Sequence, residues 1–435
     1  MALSLSFIIC HLSLSVACTS NDEDDIFDLP ASQRLAATID HARQVLRSAE
    51  YGWEFEYYPS ATLAYGGVVY TVKFDSLTAN VGCSLIADST ETSYYRLTND
   101  NGPVLTFDTY NSLLHYFSTP NSDEYEAKGG EFEFVIDSIA DDLITLYGKK
   151  TRNTMYLRRL TAASSEYAKK TISIFDHFVD SIRGTIGTAA IEGKCNPTRR
   201  SINIVSGRDT FDVHYTYTDQ GIRLYRPLRI GGTSVQTFSL DTLSNTLTCT
   251  DQGAGNVTLQ GIPYASNVMS YPRYEADYAM IYGTNDTAYV HLKPNRLEGT
   301  YIMQGLSPKY DLVLRYDAES SDLKLGAQVI GTYNGNQVYW STVNYRNGSI
   351  SNIQIADEGQ FTLHWNGNRF YPRLNFTATD PKESNLVNSG LLIYLYHDAE
   401  GNLTAGLLSD DEWLTNGSFL FDNLKSLNRK GRLEE

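Results

Sequence analysis

No stretch of this sequence is apolar for long enough to cross a bilayer as a helix. The run from Leu3 to Ala17 stops short of the ~20 residues that a membrane span requires. Cysteine is scarce, with five in 435 residues and no CxxC or other metal-ligand spacing, which excludes a zinc-finger or disulfide-dense scaffold. Basic residues are in deficit, 35 Lys+Arg against 51 Asp+Glu. The resulting net charge of −16 argues against nucleic acid as a partner and against electrostatic docking on anionic lipid. The eight histidines lie far apart, and HExxH, GxSxG and Walker motifs are all missing. Acidic pairs such as Asp141-Asp142 and Asp410-Asp411 occur, but 51 carboxylates produce pairs by chance. No catalytic residue, metal site or cofactor is therefore expected, and the chain reads as a non-enzyme.

What the N-terminus does contain is an address. Small residues at Ser15 and Ala17 precede Cys18, and Asn21 to Asp25 then turn acidic. This order resembles a bacterial lipobox, although Ser15 stands where an aliphatic residue is usual and no basic residue precedes the apolar run. Residues 1–17 are read as a lipoprotein signal peptide, Cys18 as the lipidation site and 18–25 as an acidic tether resembling a surface-export signal. Acyl chains contribute about 0.8 kcal/mol per buried methylene, enough to hold the protein on a membrane without a transmembrane helix. The expected location is the outer membrane, lipid-anchored and facing the cell exterior. Of the cysteines, Cys83, Cys195 and Cys249 remain, read as buried free thiols or as one pair with one left over.

The body of the chain reads as mainly β. Leu35, Ile39, Ala42 and Leu46 mark a first helix, followed from Trp53 by period-two alternation. About eight strand-like runs follow up to Leu160, from WEFEYYP and GVVYTVKF to LITLYGK and TMYLRRL. A second helix is predicted over Ala162 to Ile182, with further strands behind it, GIRLYRPLRI among them. The expected architecture is tandem antiparallel β-barrel or β-sandwich units of lipocalin-like character, each preceded by a helix, plus a C-terminal β-rich domain. Expected boundaries are 26–161, 162–261 and 262–424, with a frayed charged tail at 425–435. In GPVLTFDTYNSLLHYF, Asp108 or Thr109 is expected to cap a short helix with Tyr110, Leu113, Leu114 and Phe117 inward. A His115–Asp108 acid/base pair is conceivable there, but a packed histidine is the simpler reading.

Several segments carry a family resemblance. FDLPASQRLAATIDHARQVLRSAEYGWEFEYYP, GPVLTFDTYNSLLHYFSTP, EFEF and LYGKK, with the leader and acidic tether, resemble the Bacteroidota surface lipoprotein family catalogued as domain of unknown function 4302. GIRLYRPLRIGG near Gly221 continues the likeness. The resemblance implies an outer-membrane lipoprotein found beside SusC/SusD-like uptake systems, and it implies no reaction.

Tyrosine is abundant: 31, with 17 Phe and 4 Trp. Stiff amphipathic rings suit polymer binding. Trp340, Trp365, Tyr339 and Tyr371 are the candidate ligand-stacking residues. The expected function is a nutrient-binding accessory for peptide or glycan beside a SusC/SusD-like importer. The rivals are an extracytoplasmic hydrolase with an unrecognised carboxylate site and a structural subunit of the importer.

Overall fold

A computed structural model describes residues 30–433 except 87, 101, 121–126, 356–359, 380–386 and 415–417. Cys18 and the acidic tether lie outside the described residues. Helix α1 (Ala31–Ser48) starts behind Pro30, whose carbonyl accepts the N–H groups of Gln33 and Arg34. Ala42, Val45, Leu46 and Ala49 form its buried stripe. The chain then turns at Gly52, where φ is +85° and a Cβ would stand 2.7 Å from the Val72 carbonyl oxygen. Only glycine fits that turn. The next residue, Trp53, is fully buried, and its indole N–H donates to the Leu46 carbonyl at 2.8 Å. That carbonyl belongs to the last helical turn and has no partner along the helix.

Strand Trp53–Tyr57 opens a nine-stranded antiparallel sheet that runs to Thr154–Arg159. Its outermost strands, Thr90–Tyr94 and Arg96–Asn99, are neighbours in the chain with Tyr95 alone between them. The sheet thus comes back on itself through one bent strand and is nearly a closed barrel. SYYRLT, read as a single strand, breaks there because Tyr95 turns inward. Its ring meets Phe74 edge-on at 4.8 Å, and its hydroxyl donates to the Asp75 carbonyl at 2.9 Å.

Helix α2 (Ser164–Asp176) is shorter than the apolar pattern implied. Phe178, Val179 and Ile182 keep a helical spacing, but the backbone at Asp180 is already in a ladder. Its N–H donates to the Ile262 carbonyl and its own carbonyl accepts from Cys195, both at 2.9 Å. Tertiary strand pairing overrides the local helical period. A closed eight-stranded barrel follows, in which consecutive strands pair in order and Ser181–Ile186 closes on Thr258–Ile262. Its interior is filled by aliphatic residues and by Tyr215 and Tyr217, whose hydroxyls lie 3.0 Å apart.

A third unit holds another closed eight-stranded barrel, the third barrel of the chain after the nearly closed first, and a separate six-stranded sheet built around Asn336–Arg346 and Ser389–His397. The barrel is completed by Ser426–Arg429, which pairs with both Ala276–Tyr282 and Arg373–Ala378. The start of the expected frayed tail is therefore a strand. Leu427 is fully buried in the barrel, which outweighs the charge of the flanking residues. The mainly β fold class is as expected, and barrels account for most of it. Cys83, Cys195 and Cys249 are free and buried, and burial pushes the Cys83 thiol up to about 12, so it is protonated at neutral pH.

Candidate functional site

The four rings singled out in the sequence do not form one surface. Trp340 is 0% exposed, packs on Phe421 with ring centroids 5.3 Å apart, and covers Gly390 so closely that a Cβ there would stand 2.1 Å from the indole. It is a core residue of the six-stranded sheet. Trp365, in the barrel, is 6% exposed and donates its indole N–H to the Asn368 carbonyl at 3.3 Å. Tyr339 is half-buried, with its hydroxyl donating to the Gln337 amide oxygen at 2.6 Å. Tyr371 alone stands out, 80% exposed. The alternation of Asn336–Arg346 settles Trp340: its face turns into the third unit's core, while Tyr339 takes the other face.

The His115–Asp108 pair does not form either. Asp108 is bound to Arg96, and His115 is buried with Nδ1 3.1 Å from the Asn111 carbonyl. Burial lowers the His115 pKa, so the ring is neutral at pH 7. The cap of this turn is Asn111, whose side-chain oxygen accepts the N–H groups of Leu113 and Leu114 at 3.2 and 3.1 Å. Tyr110 is exposed.

The geometry that does suit a ligand lies where the first and second barrels meet. Strand Trp53–Tyr57 is buried on both faces, because its Glu54 and Glu56 point away from the first barrel's core but under the second barrel. Arg223, on the second barrel's Gly221–Ile230 strand, reaches Glu54 at 2.7 Å and also Glu56, while Arg158 holds Glu56 at 2.5 Å. Burial raises the Glu54 pKa, against the opposing pull of Arg223.

Beside this ion cluster the Gly221–Ile230 strand slips register against Thr233–Asp241 between Arg223 and Leu228. Pro227 lies inside the slip, where a residue without an N–H costs no ladder bond. The irregularity brings Tyr225, Arg226 and Pro227 into the lining of a cleft of about 400 Å³. Phe211, Asp212 and His214 form another wall from the second barrel; Ala61, Leu63 and Asn153 come from the first. The walls are pinned from behind. The Tyr225 ring packs on buried Tyr58 at 4.5 Å, and its hydroxyl accepts the Thr154 N–H at 3.1 Å. Asn153 donates its amide to the Tyr58 and Ser60 carbonyls at 2.9 and 2.8 Å.

Chemically the cleft offers a guanidinium, a carboxylate and an imidazole beside the apolar side chains of Phe211, Leu63 and Pro227. His214 Nε2 lies 3.6 Å from Asp212, and its Nδ1 is buried with no hydrogen-bond partner among the described residues. Sequence reasoning passed this site by. The available signal was Pro227 inside a strand-like run, which marks a bulge. Among the described residues no group of three or more His, Cys, Asp or Glu could hold a metal ion, and no helix is long and apolar enough to cross a membrane.

The family model described as domain of unknown function 4302 matches residues 23–242, a span that includes the cleft. The chain belongs to this family. A second model, also described as a domain of unknown function, matches residues 250–393, within the third unit for the most part. A comparison with curated proteins finds no match. The family thus covers the first barrel and the second up to its Thr233–Asp241 strand, including every element that forms the cleft.

Proposed function

We propose that this protein is a lipid-anchored, surface-exposed binding accessory that holds a short peptide or glycan in the cleft between its first two barrels, beside a SusC/SusD-like outer-membrane importer. The observation that carries the binding role is the cleft itself: Phe211, Tyr225, Leu63 and Pro227 line it together with the polar side chains of Asn153, Asp212, His214 and Arg226. Asp212 is the one carboxylate among the described lining residues, and these supply no second acid for a two-carboxylate hydrolysis. Binding without turnover is the chemistry that this favours. The anchor and surface display rest on the sequence alone, on Cys18 after a small residue and on the acidic run that follows, and the importer rests on the family resemblance.

The test of the cleft is to isolate the native protein with its co-purifying ligand and to titrate that ligand into wild type, Asp212→Ala and Arg226→Ala. Each substitution removes a charged hydrogen-bonding group and is expected to weaken binding about tenfold. Unchanged affinity in both variants, or release of cleaved ligand, would overturn the proposal. The anchor is tested separately: Cys18→Ala should abolish palmitate labelling and release the protein from membranes, whereas Cys83→Ala should leave both intact. Equal labelling of the Cys18→Ala protein would remove the lipid anchor from the proposal.

A further inference from the structure

One end of the third barrel gathers positive charge on a protein whose net charge is −16. The loop joining Phe361–Trp365 to Arg373–Ala378 crosses the C-terminal residues there. The Arg429 N–H donates to the Pro372 carbonyl at 2.9 Å, and the Leu433 N–H to the Arg369 carbonyl at 3.0 Å. Arg432 lies over the Phe370 ring at 5.0 Å, and Lys430 over the Tyr289 ring at 4.0 Å. Arg273 joins the group through its carbonyl, which accepts from the Arg429 guanidinium at 2.5 Å. Burial lowers the pKa of Arg273, and the like charge of Arg369 lowers it further. Among the described residues, Arg273, Arg373, Lys430 and Arg432 have no carboxylate within salt-bridge distance.

The same loop displays two rings. Phe370 is 62% exposed and Tyr371 is 80% exposed. Two asparagines hold the loop in one shape. The Asn368 side-chain oxygen accepts the N–H groups of Phe370 and Tyr371 at 2.9 and 3.0 Å, and that of Asn366 accepts those of Asn368 and Arg373 at 3.1 and 3.2 Å. Trp365 secures the Asn368 carbonyl from inside. Large apolar surface held out in water on a braced loop is what a stacking platform requires, since little ordering remains to be done on binding.

We propose that this face binds an anionic polysaccharide, with Phe370 and Tyr371 stacking on pyranose faces while Arg373, Lys430 and Arg432 meet its carboxylates or sulfates. Guanidinium forks match such oxyanions in a bidentate manner. A narrow chain fits better than an extended anionic surface. A membrane or a duplex would also face the acidic remainder of the molecule, and charges beyond the screening length of about 8 Å contribute little attraction to offset that. The site is independent of the inter-barrel cleft.

The experiment titrates two hexasaccharides into the full-length protein, one of galacturonic acid and one heparin-derived and sulfated, with maltohexaose as the neutral control. Saturable binding of at least one acidic hexasaccharide is expected, weakening as salt is raised, with none of maltohexaose. Phe370→Ala/Tyr371→Ala should weaken binding about tenfold with its salt dependence retained. Arg373→Gln/Arg432→Gln should weaken it to a similar extent and flatten the salt dependence. All four positions are at the surface, so thermal melting should be unchanged. The proposal is overturned if neither acidic hexasaccharide binds, if maltohexaose binds equally well, or if binding survives both double variants. Loss of binding in Asp212→Ala alone would place the acidic sugar in the cleft. Binding to phosphatidylglycerol vesicles without binding to either oligosaccharide would make the face a membrane contact.

Discussion

Trp53→Ala is expected to lower stability by about 3–5 kcal/mol, read as a shift in the denaturant midpoint of the first unfolding transition. The indole is fully buried and lies where α1 joins the first strand. Three losses combine. A large apolar volume is removed from the core, the Leu46 carbonyl loses the indole N–H, and the Arg159 guanidinium, 4.9 Å above the ring, loses the surface it covers. Trp53→Phe keeps most of the volume but not the donor, and should cost about 1 kcal/mol for the hydrogen bond plus a repacking term. A Trp53→Ala protein with an unchanged midpoint would mean that α1 does not brace the barrel.

Arg223→Met should be nearly as damaging and, unlike the indole variant, dependent on pH. Removing the guanidinium leaves Glu54 and Glu56 buried between two barrels with Arg158, on Glu56, as the one cation in salt-bridge reach among the described residues, a change that typically costs about 3–5 kcal/mol. Burial already raises the Glu54 pKa against the pull of Arg223, so the variant raises it further. A carboxyl with a raised folded-state pKa binds a proton in the folded protein that the unfolded chain releases above its ordinary ~4.3. Stability in the variant should therefore fall as pH rises above that value, and the deficit against wild type should be smaller at pH 5 than at pH 8. Denaturant titrations at both values check it. A deficit independent of pH would show that Arg223 acts through packing alone. Replacing Glu54, Glu56 and Arg223 together with apolar residues of similar volume should recover much of the loss, because no charge is then left unpaired.

Much of the fold was legible because alternation is a local signal. Trp53, Phe55 and Tyr57 against Glu54 and Glu56 marked a strand with two distinct faces. The same pattern misled about exposure: Glu54 and Glu56 face another barrel, and no local sequence records what covers a strand's polar face. α2 was placed within two residues of its start but run too far, since Phe178, Val179 and Ile182 keep a helical spacing beyond its last residue, Asp176. Its end is set by pairing with Ile262, far along the chain. The two tryptophan candidates failed on the same ground. Trp340 and Trp365 differ from Tyr371 in tertiary position and not in residue type, so composition could not separate core rings from displayed ones. The cleft needed the register slip at Arg223 to Leu228, for which Pro227 was the only local sign.

The third barrel closes through a pairing between its first strand and residues almost at the chain's end: Tyr278 lies opposite Arg429 and Ile281 opposite Ser426. A chain that is made from its N-terminus can complete the first two barrels while this one still lacks its last stave. Until Ser426–Arg429 arrives, Ala276–Tyr282 and Arg373–Ala378 each present a row of unpaired amides, the condition under which strands capture neighbouring chains. The four residues Ser426–Arg429 thus set the moment at which the molecule stops being sticky, and a ribosome that terminates just before them releases a chain with two adhesive edges.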